Sequence, residues 1–220
     1  LSYPPIIGIV IAVFISLFLG AEYSDGAIRN KISIGHKRGN IYLSNFVISS
    51  IVSVFFYAIF LIATLAIGVP LFGSGTISIS LILMRIFVVS FTIIAYSAIF
   101  TFIAMLCSNK TIIAVISILS AFGMMLFTTY CFNVLNTPEY IQIASLVDGE
   151  TKITEEYNPK YPSLEKRKVY ETLIDIIPSG QTLQIPEREA NLGFLLVYSI
   201  GIIVVFTCSG LLLFKKKELK

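Results

Sequence analysis

Side chains able to do acid–base, nucleophilic or metal chemistry are few and scattered in this sequence. The chain has one histidine, His36, and three cysteines, Cys107, Cys131 and Cys208, which form no CxxC pair. One imidazole and separated thiols do not make a zinc site, and no HExxH motif occurs. No GxxxxGK[ST] loop is present to hold nucleotide phosphates. We therefore expect no catalytic site, metal site or cofactor in this chain.

The composition indicates that the fold is surrounded by lipid. Of 220 residues, 56% are hydrophobic and 13% are charged, against roughly 45–50% and 25% in soluble domains. The apolar residues lie in long blocks instead of the periodic stripes of a soluble core. The net charge is only +3, and no basic run is interleaved with aromatic residues. The composition therefore argues against a water-soluble fold and against nucleic-acid binding.

Five apolar stretches are long enough, or nearly so, to cross a membrane as helices. A helix needs about 20 apolar residues to span a hydrocarbon core of roughly 30 Å. The stretches are Pro5 to Ala21, Leu43 to Ile67, Leu81 to Cys107, Thr111 to Leu135 and Leu192 to Phe214. The alternating strands that are typical of a membrane barrel do not occur. We therefore predict an all-α membrane protein with about five spans, in a single domain over residues 1–220.

The distribution of basic residues predicts the orientation, because short cytoplasmic loops contain an excess of Lys and Arg. Nine basic residues fall on one side: Arg29, Lys31, Lys37, Arg38, Lys110, Lys215, Lys216, Lys217 and Lys220. The opposite short loop, residues 68–80, has none, and the long segment from Asn136 to Asn191 is acidic on balance. We therefore predict a cytoplasmic C-terminus and an external Leu1.

Arg85 is the one charged residue inside the predicted spans. It lies a few residues from the external end of the third span, where an unpaired charge costs several kcal/mol unless it reaches a polar region. Two interpretations stay open. In the first, the aliphatic part of the side chain lies in the hydrocarbon and its guanidinium reaches the outer lipid head groups. In the second, the side chain lines a substrate path.

The loop from Glu22 to Tyr42 has the signals of a short helix. Ser24 or Asp25 is placed to cap its start, and Lys31 suits its last turn. Gly35 suits the left-handed residue beyond its end. We predict a helix of about two turns on the membrane surface.

This short helix has apolar residues on two faces. Steps of 100° per residue place Ile28 and Ile32 on one face, and Ile34 and Ile41 on another. Two faces suit two neighbours: the membrane or the protein's own spans on one side, and a cytoplasmic partner on the other. A basic loop that only sets topology is the alternative.

The run from Glu22 to Lys31, followed by Gly35-His36-Lys37-Arg38, resembles the permease subunits of bacterial ATP-binding-cassette exporters of the drug or peptide-antibiotic export and immunity type. The resemblance covers essentially the whole chain, with the family's first span preceding Leu1. It implies a multi-pass protein of the bacterial plasma membrane that assembles with a second permease subunit and with a separate cytoplasmic cassette ATPase. ATP and Mg would be bound by that partner subunit.

The resemblance assigns coupling to the ATPase to residues of this loop. They are Glu22, Tyr23, Asp25, Gly26, Ile28, Arg29, Lys31, Ile32, Gly35 and Arg38. Within this set we predict that Ile28 and Ile32 enter a groove of the ATPase and that Arg29 or Arg38 faces acidic residues at its rim.

The segment from Asn136 to Asn191 is too long for a simple turn and precedes the last span. Apolar spacing predicts a helix over Pro162 to Ile177, ended by Pro178-Ser179-Gly180. A second short amphipathic helix is predicted over Pro138 to Val147, before a turn at Asp148-Gly149. This external insertion either gates or senses a substrate, or covers the ends of the spans.

Three functions fit a chain of this kind to different degrees. A transport subunit driven by a separate ATPase agrees with the loop and with the missing nucleotide motif. A membrane-anchored sensor would use the external insertion as its receptor. An intramembrane enzyme needs paired acids, a metal cluster or an activated nucleophile within the spans, and the predicted spans contain no Asp, Glu, His or Lys. We therefore favour the exporter subunit and keep the sensor as the alternative.

Overall fold

A computed structural model describes residues 6–73, 78–147, 150–187 and 191–217 of the chain. Five of its helices are long and apolar enough to cross a membrane. They are α1 (Ile7–Ser24), α3 (Arg38–Phe72), α4 (Ile79–Leu106), α5 (Lys110–Leu135) and α8 (Leu192–Lys216). The remaining elements are α2 (Ala27–Ser33), β1 (Tyr140–Val147), β2 (Glu150–Tyr157), α6 (Leu164–Ile176) and α7 (Pro178–Glu187). The predicted all-α membrane protein with about five spans is confirmed.

The spans extend beyond the predicted apolar stretches, and α3 shows the largest difference. Its prediction covered Leu43 to Ile67, whereas the helix has 35 residues. At about 1.5 Å per residue it is roughly 52 Å long, well above the roughly 30 Å of a hydrocarbon core. The helix is therefore longer than a hydrocarbon core is thick, and its N-terminal extension begins with the polar residues Arg38 and Asn40.

Side-chain caps fix the start of three spans. The Asn109 carboxamide oxygen accepts from the backbone N–H groups of Thr111 at 2.9 Å and Ile112 at 3.3 Å, at the start of α5. Ser78 caps α4 and Asn191 caps α8 in the same manner. Each cap satisfies a backbone donor that the helix leaves free.

Helix α4 lies at the centre of the bundle and contacts α1, α3, α5, α7 and α8. Tyr96 and Phe100 are fully buried in its middle. At Gly8 of α1 a Cβ atom would overlap the Tyr96 ring, so the glycine permits close approach of α1 to α4. The other spans expose broad apolar faces, such as Ile51 and Phe55 on α3, which a bilayer would cover.

The bundle has two chemically different ends. At one end, which we call the α2 end, Tyr23 of α1 bonds to Met105 of α4 and Arg38 of α3 bonds to Lys215 of α8. The opposite end, which we call the hairpin end, has β1, β2 and α6. The basic residues of the orientation prediction that the structure describes come together at the α2 end.

A β-hairpin replaces the predicted helix over Pro138 to Val147. β1 pairs antiparallel with β2, from Tyr140 opposite Tyr157 to Val147 opposite Glu150. The two tyrosine rings meet edge to face with their centroids 6.1 Å apart. The apolar residues of this segment suit either period, and cross-strand pairing with β2 decides for the strand. The predicted turn at Asp148-Gly149 lies outside the described residues.

The prediction of a helix over Pro162 to Ile177 is confirmed by α6. Pro178 ends α6 as predicted, but it is also the first residue of α7, a position that suits proline because its missing N–H is not needed there. At Gly180 a Cβ atom would overlap the backbone of Ile174. Glycine at this position therefore lets α7 fold back tightly against α6.

Candidate functional sites at the two ends of the bundle

Helix α2 begins and ends near glycines in the left-handed conformation. Gly26 is its N-cap residue with φ 71°, and Gly35 has φ 99° just after its end. A Cβ atom at either position would meet nothing within 4 Å, so the backbone angle alone favours glycine. The predicted places of Gly35 and Lys31 are confirmed. The predicted cap by Ser24 or Asp25 is wrong, because Gly26 takes that position.

The inner face of α2 packs against the protein itself. Ile28 is 1% exposed within the apolar core, and Ile32 is half-buried against the same core. Ile28 therefore has no surface left for the predicted groove of a partner. Ile32 keeps part of its surface, and its entry into such a groove stays a prediction.

The outer face of α2, which we define as Arg29, Asn30, Ser33 and Ile34, is exposed. Ile34 is 79% exposed, the largest value for a large apolar side chain among the described residues. Asp25, His36 and Lys37 are exposed beside this face. An apolar residue thus stands in a mainly basic surrounding at the α2 end.

Glu22 joins α2 to two spans. Lys31 Nζ of α2 donates to Glu22 Oε1 of α1 at 2.6 Å. The other carboxylate oxygen, Oε2, accepts from Asn45 Nδ2 of α3 at 3.1 Å, and Asn45 is buried. Because both Glu22 oxygens are engaged, α2 is held against α1 and α3.

Tyr23 and Lys217 close the end of α4. The Tyr23 hydroxyl donates to the Met105 carbonyl at 2.8 Å. Lys217 Nζ donates to the carbonyls of Met105 at 3.0 Å and Cys107 at 2.9 Å and to the Tyr23 hydroxyl oxygen at 3.0 Å. Its ammonium also lies 4.4 Å from the centre of the Tyr23 ring. The cation satisfies carbonyls that the helix end leaves free and sits at the negative end of the helix dipole.

Burial has a measurable consequence for Lys217, which follows α8 and lies outside the spans. Desolvation lowers the pKa of its ammonium to about 8, although the nearby Cys107 acts in the opposite direction. Desolvation disfavours the charged form of a lysine, which is the direction observed here. This amine therefore loses its proton at a lower pH than an exposed lysine.

Arg38 closes the end of α8 from the first turn of α3. Its Nη1 donates to the Lys215 carbonyl at 3.2 Å and to the Lys217 carbonyl. Arg38 and Lys217 together link α3 to α8 and α8 to α4. Arg29 or Arg38 was predicted to face acidic residues of the ATPase. Arg38 is engaged within its own chain, whereas Arg29 is exposed.

Most of the predicted coupling residues thus hold the α2 end together. Of the ten, Asp25, Arg29 and Gly35 are exposed, and the others are buried or half-buried. Sequence reasoning missed the structural roles of Asn45 and Lys217. Asn45 is a polar residue in an apolar stretch, a signal that could have pointed to a buried hydrogen bond.

Arg85 lies near the hairpin end of α4, about 9 Å along the helix from Ile79. Its side chain is half-buried, and its Nε atom is buried with no hydrogen-bond partner among the described residues. Thr92, seven residues further along α4, lies on the same face of the helix. Extension to the head groups and lining of a path both stay predictions for Arg85.

Helix α7 is a polar helix inside the bundle, which no sequence signal indicated. Gln181 is fully buried, and its Oε1 accepts from Thr92 of α4 and Ser199 of α8, both at 2.8 Å. Its Nε2 donates to the Asp175 carbonyl of α6 at 2.8 Å. One carboxamide therefore connects α7 with α4, α6 and α8.

Ser179 makes the matching connection to α5. Its hydroxyl lies 2.9 Å from that of Thr128 and donates to the Met124 carbonyl at 3.0 Å. Gln184 adds a bond to Asp175 Oδ1 at 2.8 Å. The hairpin end is thus closed by hydrogen bonds between mostly uncharged side chains.

Among the described residues, no group of three or more His, Cys, Asp or Glu side chains is placed to hold a metal ion. Both ends have instead networks of hydrogen bonds that join several spans through one small helix. Such networks suit a change of packing between helices.

Comparison with protein-family models, with curated proteins and with solved structures finds no match to this chain.

Proposed function

We propose that this chain is the transmembrane subunit of an ATP-driven exporter, and that a separate cytoplasmic ATPase docks on the outer face of α2. The observation that supports this most directly is the contrast between the two faces of α2. Its inner face is fixed to α1 and α3 through Ile28, Ile32 and Lys31, while its outer face exposes Ile34. A partner can bind the exposed apolar residue, and the fixed inner face would pass a movement of that partner on to the spans.

The outer face also defines the chemistry of the partner. Ile34 would fill an apolar pocket, and Arg29 and Lys37 would face acidic residues around it. An apolar anchor with a charged rim is common in protein interfaces. The pocket for Ile34 replaces the groove for Ile28 and Ile32 that the sequence suggested.

The contacts at the α2 end provide a route for movement. A shift of α2 would pull on α1 through Glu22 and on α3 through Asn45. Tyr23 and Lys217 would pass it to the ends of α4 and α8. Binding of ATP by the partner drives the change only if the ATPase contacts α2 differently in the two arrangements of the spans.

The remaining parts of the proposal concern assembly. A second permease subunit completes the substrate path, and ATP and Mg are bound by the ATPase subunit. The protein lies in the bacterial plasma membrane with its α2 end and C-terminus in the cytoplasm. α7 then closes the external side of the path.

Ile34→Asp tests the docking surface. The full chain is purified with a tag from membranes of its own host, and co-purifying proteins are identified by mass spectrometry. For the wild type we expect a protein with a GxxxxGK[ST] loop, together with vanadate-sensitive ATP hydrolysis. Ile34→Asp should reduce its recovery at least tenfold, since a buried unpaired charge in an interface costs several kcal/mol.

Thr172→Asp is the matched control, because it adds the same charge to an exposed helix position on α6 at the hairpin end. It should leave recovery of the ATPase unchanged. The proposal is rejected if no nucleotide-binding subunit co-purifies with the wild type. It is also rejected if the ATPase is recovered in equal amounts with the wild type, with Ile34→Asp and with Thr172→Asp.

A sensor is the second candidate, because the hairpin projects with exposed Tyr140, Ile153 and Tyr157. Replacing residues 140–157 by a short Gly-Ser linker discriminates the two. A sensor would lose its response and any ligand binding. An exporter subunit in the proposed sense would keep the ATPase and its ATP hydrolysis.

A further inference from the structure

A cavity lies beside α2 at a place that the proposed function does not use. It has a volume of about 180 Å³ and is lined by Lys31, His36, Asn40, Ile41 and Ser44. All of these except Ile41 offer hydrogen-bond donors. None of the four residues of the outer face, Ile34 among them, belongs to this lining.

The charges around this cavity favour an anion. Lys31 uses one N–H for Glu22 and has two more to donate. The acidic side chain that Lys31 pairs with is Glu22, and both of its oxygens already accept hydrogen bonds. The first turn of α3, which has no side-chain cap, adds the positive end of a helix dipole.

The position of the cavity on α3 identifies the source of the anion. Asn40 and Ser44 are exposed, and Val47, Ile51 and Phe55 continue the same exposed face at helical spacing. Along α3 the face therefore changes from polar to apolar, in the same order as the head group and the acyl chain of a lipid. A free anion in solution would not contact the apolar part of this face. An acidic protein segment would be unstable along it, because that part of the face lies in the hydrocarbon.

We infer that this cavity binds the phosphate of an anionic phospholipid, whose acyl chain lies along Val47, Ile51 and Phe55 of α3. The lipid would hold α2 against the membrane surface from the side. This inference rests on the membrane spans and the cavity, and it holds whether or not an ATPase docks on α2.

Native mass spectrometry of the purified full chain tests the site. Phosphatidylglycerol and phosphatidylcholine with the same acyl chains are titrated separately into the protein in detergent. The wild type should retain phosphatidylglycerol at least fivefold more tightly, because one lysine near the surface contributes about that factor with an anionic lipid. The double variant Asn40→Glu/Ser44→Glu should lose this preference, since both carboxylates enter the cavity without removing a described hydrogen bond.

Ser33→Glu is the control, because it adds a carboxylate at the same end of the bundle, on the exposed outer face of α2 and outside the lining of the cavity. It should keep the preference for phosphatidylglycerol. Equal retention of the two lipids by the wild type overturns the inference, as does an unchanged preference in the double variant. Displacement of phosphatidylglycerol by millimolar inorganic phosphate overturns it as well, since that result would show a site for a free anion.

Discussion

At the level of single residues, the α2 end is held by cations that donate to backbone carbonyls. Lys217 donates to the end of α4 and Arg38 to the end of α8. Lys31 also forms an ion pair with Glu22, across 2.6 Å. These contacts satisfy carbonyls that would otherwise be left without partners near the hydrocarbon.

The pKa of Lys217 leads to a prediction about stability and pH. This pKa, about 8, is below that of an exposed lysine, so the unfolded chain binds more protons than the folded chain between about pH 8 and the ordinary lysine pKa near 10.4. In that interval the contribution of Lys217 to stability rises with pH. The difference in Tm between wild type and Lys217→Met, in detergent, should therefore grow from pH 7.5 to pH 9.5.

Lys216→Met provides the comparison, because Lys216 is exposed. The Tm difference of Lys217→Met from the wild type should grow more over this interval than that of Lys216→Met. A Tm difference for Lys217→Met that is flat or falls with pH would contradict the lowered pKa.

Gly210 leads to a prediction about packing. A Cβ atom at this position of α8 would overlap the ring of Tyr42, which is buried in α3. Gly210→Ala should therefore force α3 and α8 apart and lower the free energy of unfolding by about 1–3 kcal/mol. Gly201→Ala, in the same helix with nothing within 4 Å, should have little effect. Heating in detergent followed by size-exclusion chromatography measures both, and equal losses of folded protein would refute the steric explanation.

Single residues also show how far sequence reasoning reached. Helical spacing separated Ile28 and Ile32 from Ile34 correctly, because that separation depends only on the period of the helix. It could not tell which face meets the protein's own spans. That choice depends on the tertiary position of Glu22 and Asn45, which no local pattern contains.

At the level of elements, α7 is a polar helix among apolar spans and depends on its hydrogen bonds. Gln181 contacts three other helices, and each of its contacts replaces water that the site excludes. α7 is therefore stable in this position only while its partners on α4, α6 and α8 stay in place. This makes it suited to respond when those helices move.

Gln181→Met tests this dependence, because methionine has a similar size but lacks the carboxamide. Loss of the shared acceptor should cost about 1–3 kcal/mol and loosen α7. A cysteine introduced at Ser199 should then react faster with a small thiol reagent than it does with Gln181 present. Gln142→Met, at an exposed position of β1, should change neither stability nor reaction rate, and the proposed role of Gln181 fails if the two variants behave alike.

The elements differ in how well the sequence predicts them. Long apolar runs identified all five spans, because the bilayer imposes both their length and their composition. The residues of α7 have the polar composition of a loop, and only tertiary contacts bury them. The hairpin was missed because eight residues with apolar side chains on both faces suit a helix or a strand, and the pairing strand decides.

At the level of the whole molecule, α4 connects the two ends. Its terminal carbonyl at Met105 accepts from Tyr23 and Lys217, while Thr92 bonds to Gln181 on the other side. These two points are 13 residues apart, or about 20 Å along the helix. A shift of α4 along its axis would therefore act on Tyr23 and Lys217 and on α7 together, as the proposed function requires.

The orientation of the whole molecule leads to the last prediction. Basic residues gather at the α2 end, so this end should face the cytoplasm. In a background without the native cysteines, Ser33→Cys and Ser163→Cys place single thiols at exposed positions of opposite ends. A membrane-impermeant maleimide applied to intact cells should label Ser163→Cys, and Ser33→Cys only after the cells are permeabilised. Labelling of Ser33→Cys in intact cells would reverse the orientation and place α2 beyond the reach of a cytoplasmic ATPase, so the exporter proposal would fall with it. The cavity beside α2 would still face a bilayer leaflet in that case, and the lipid inference would have to be judged on its own experiment.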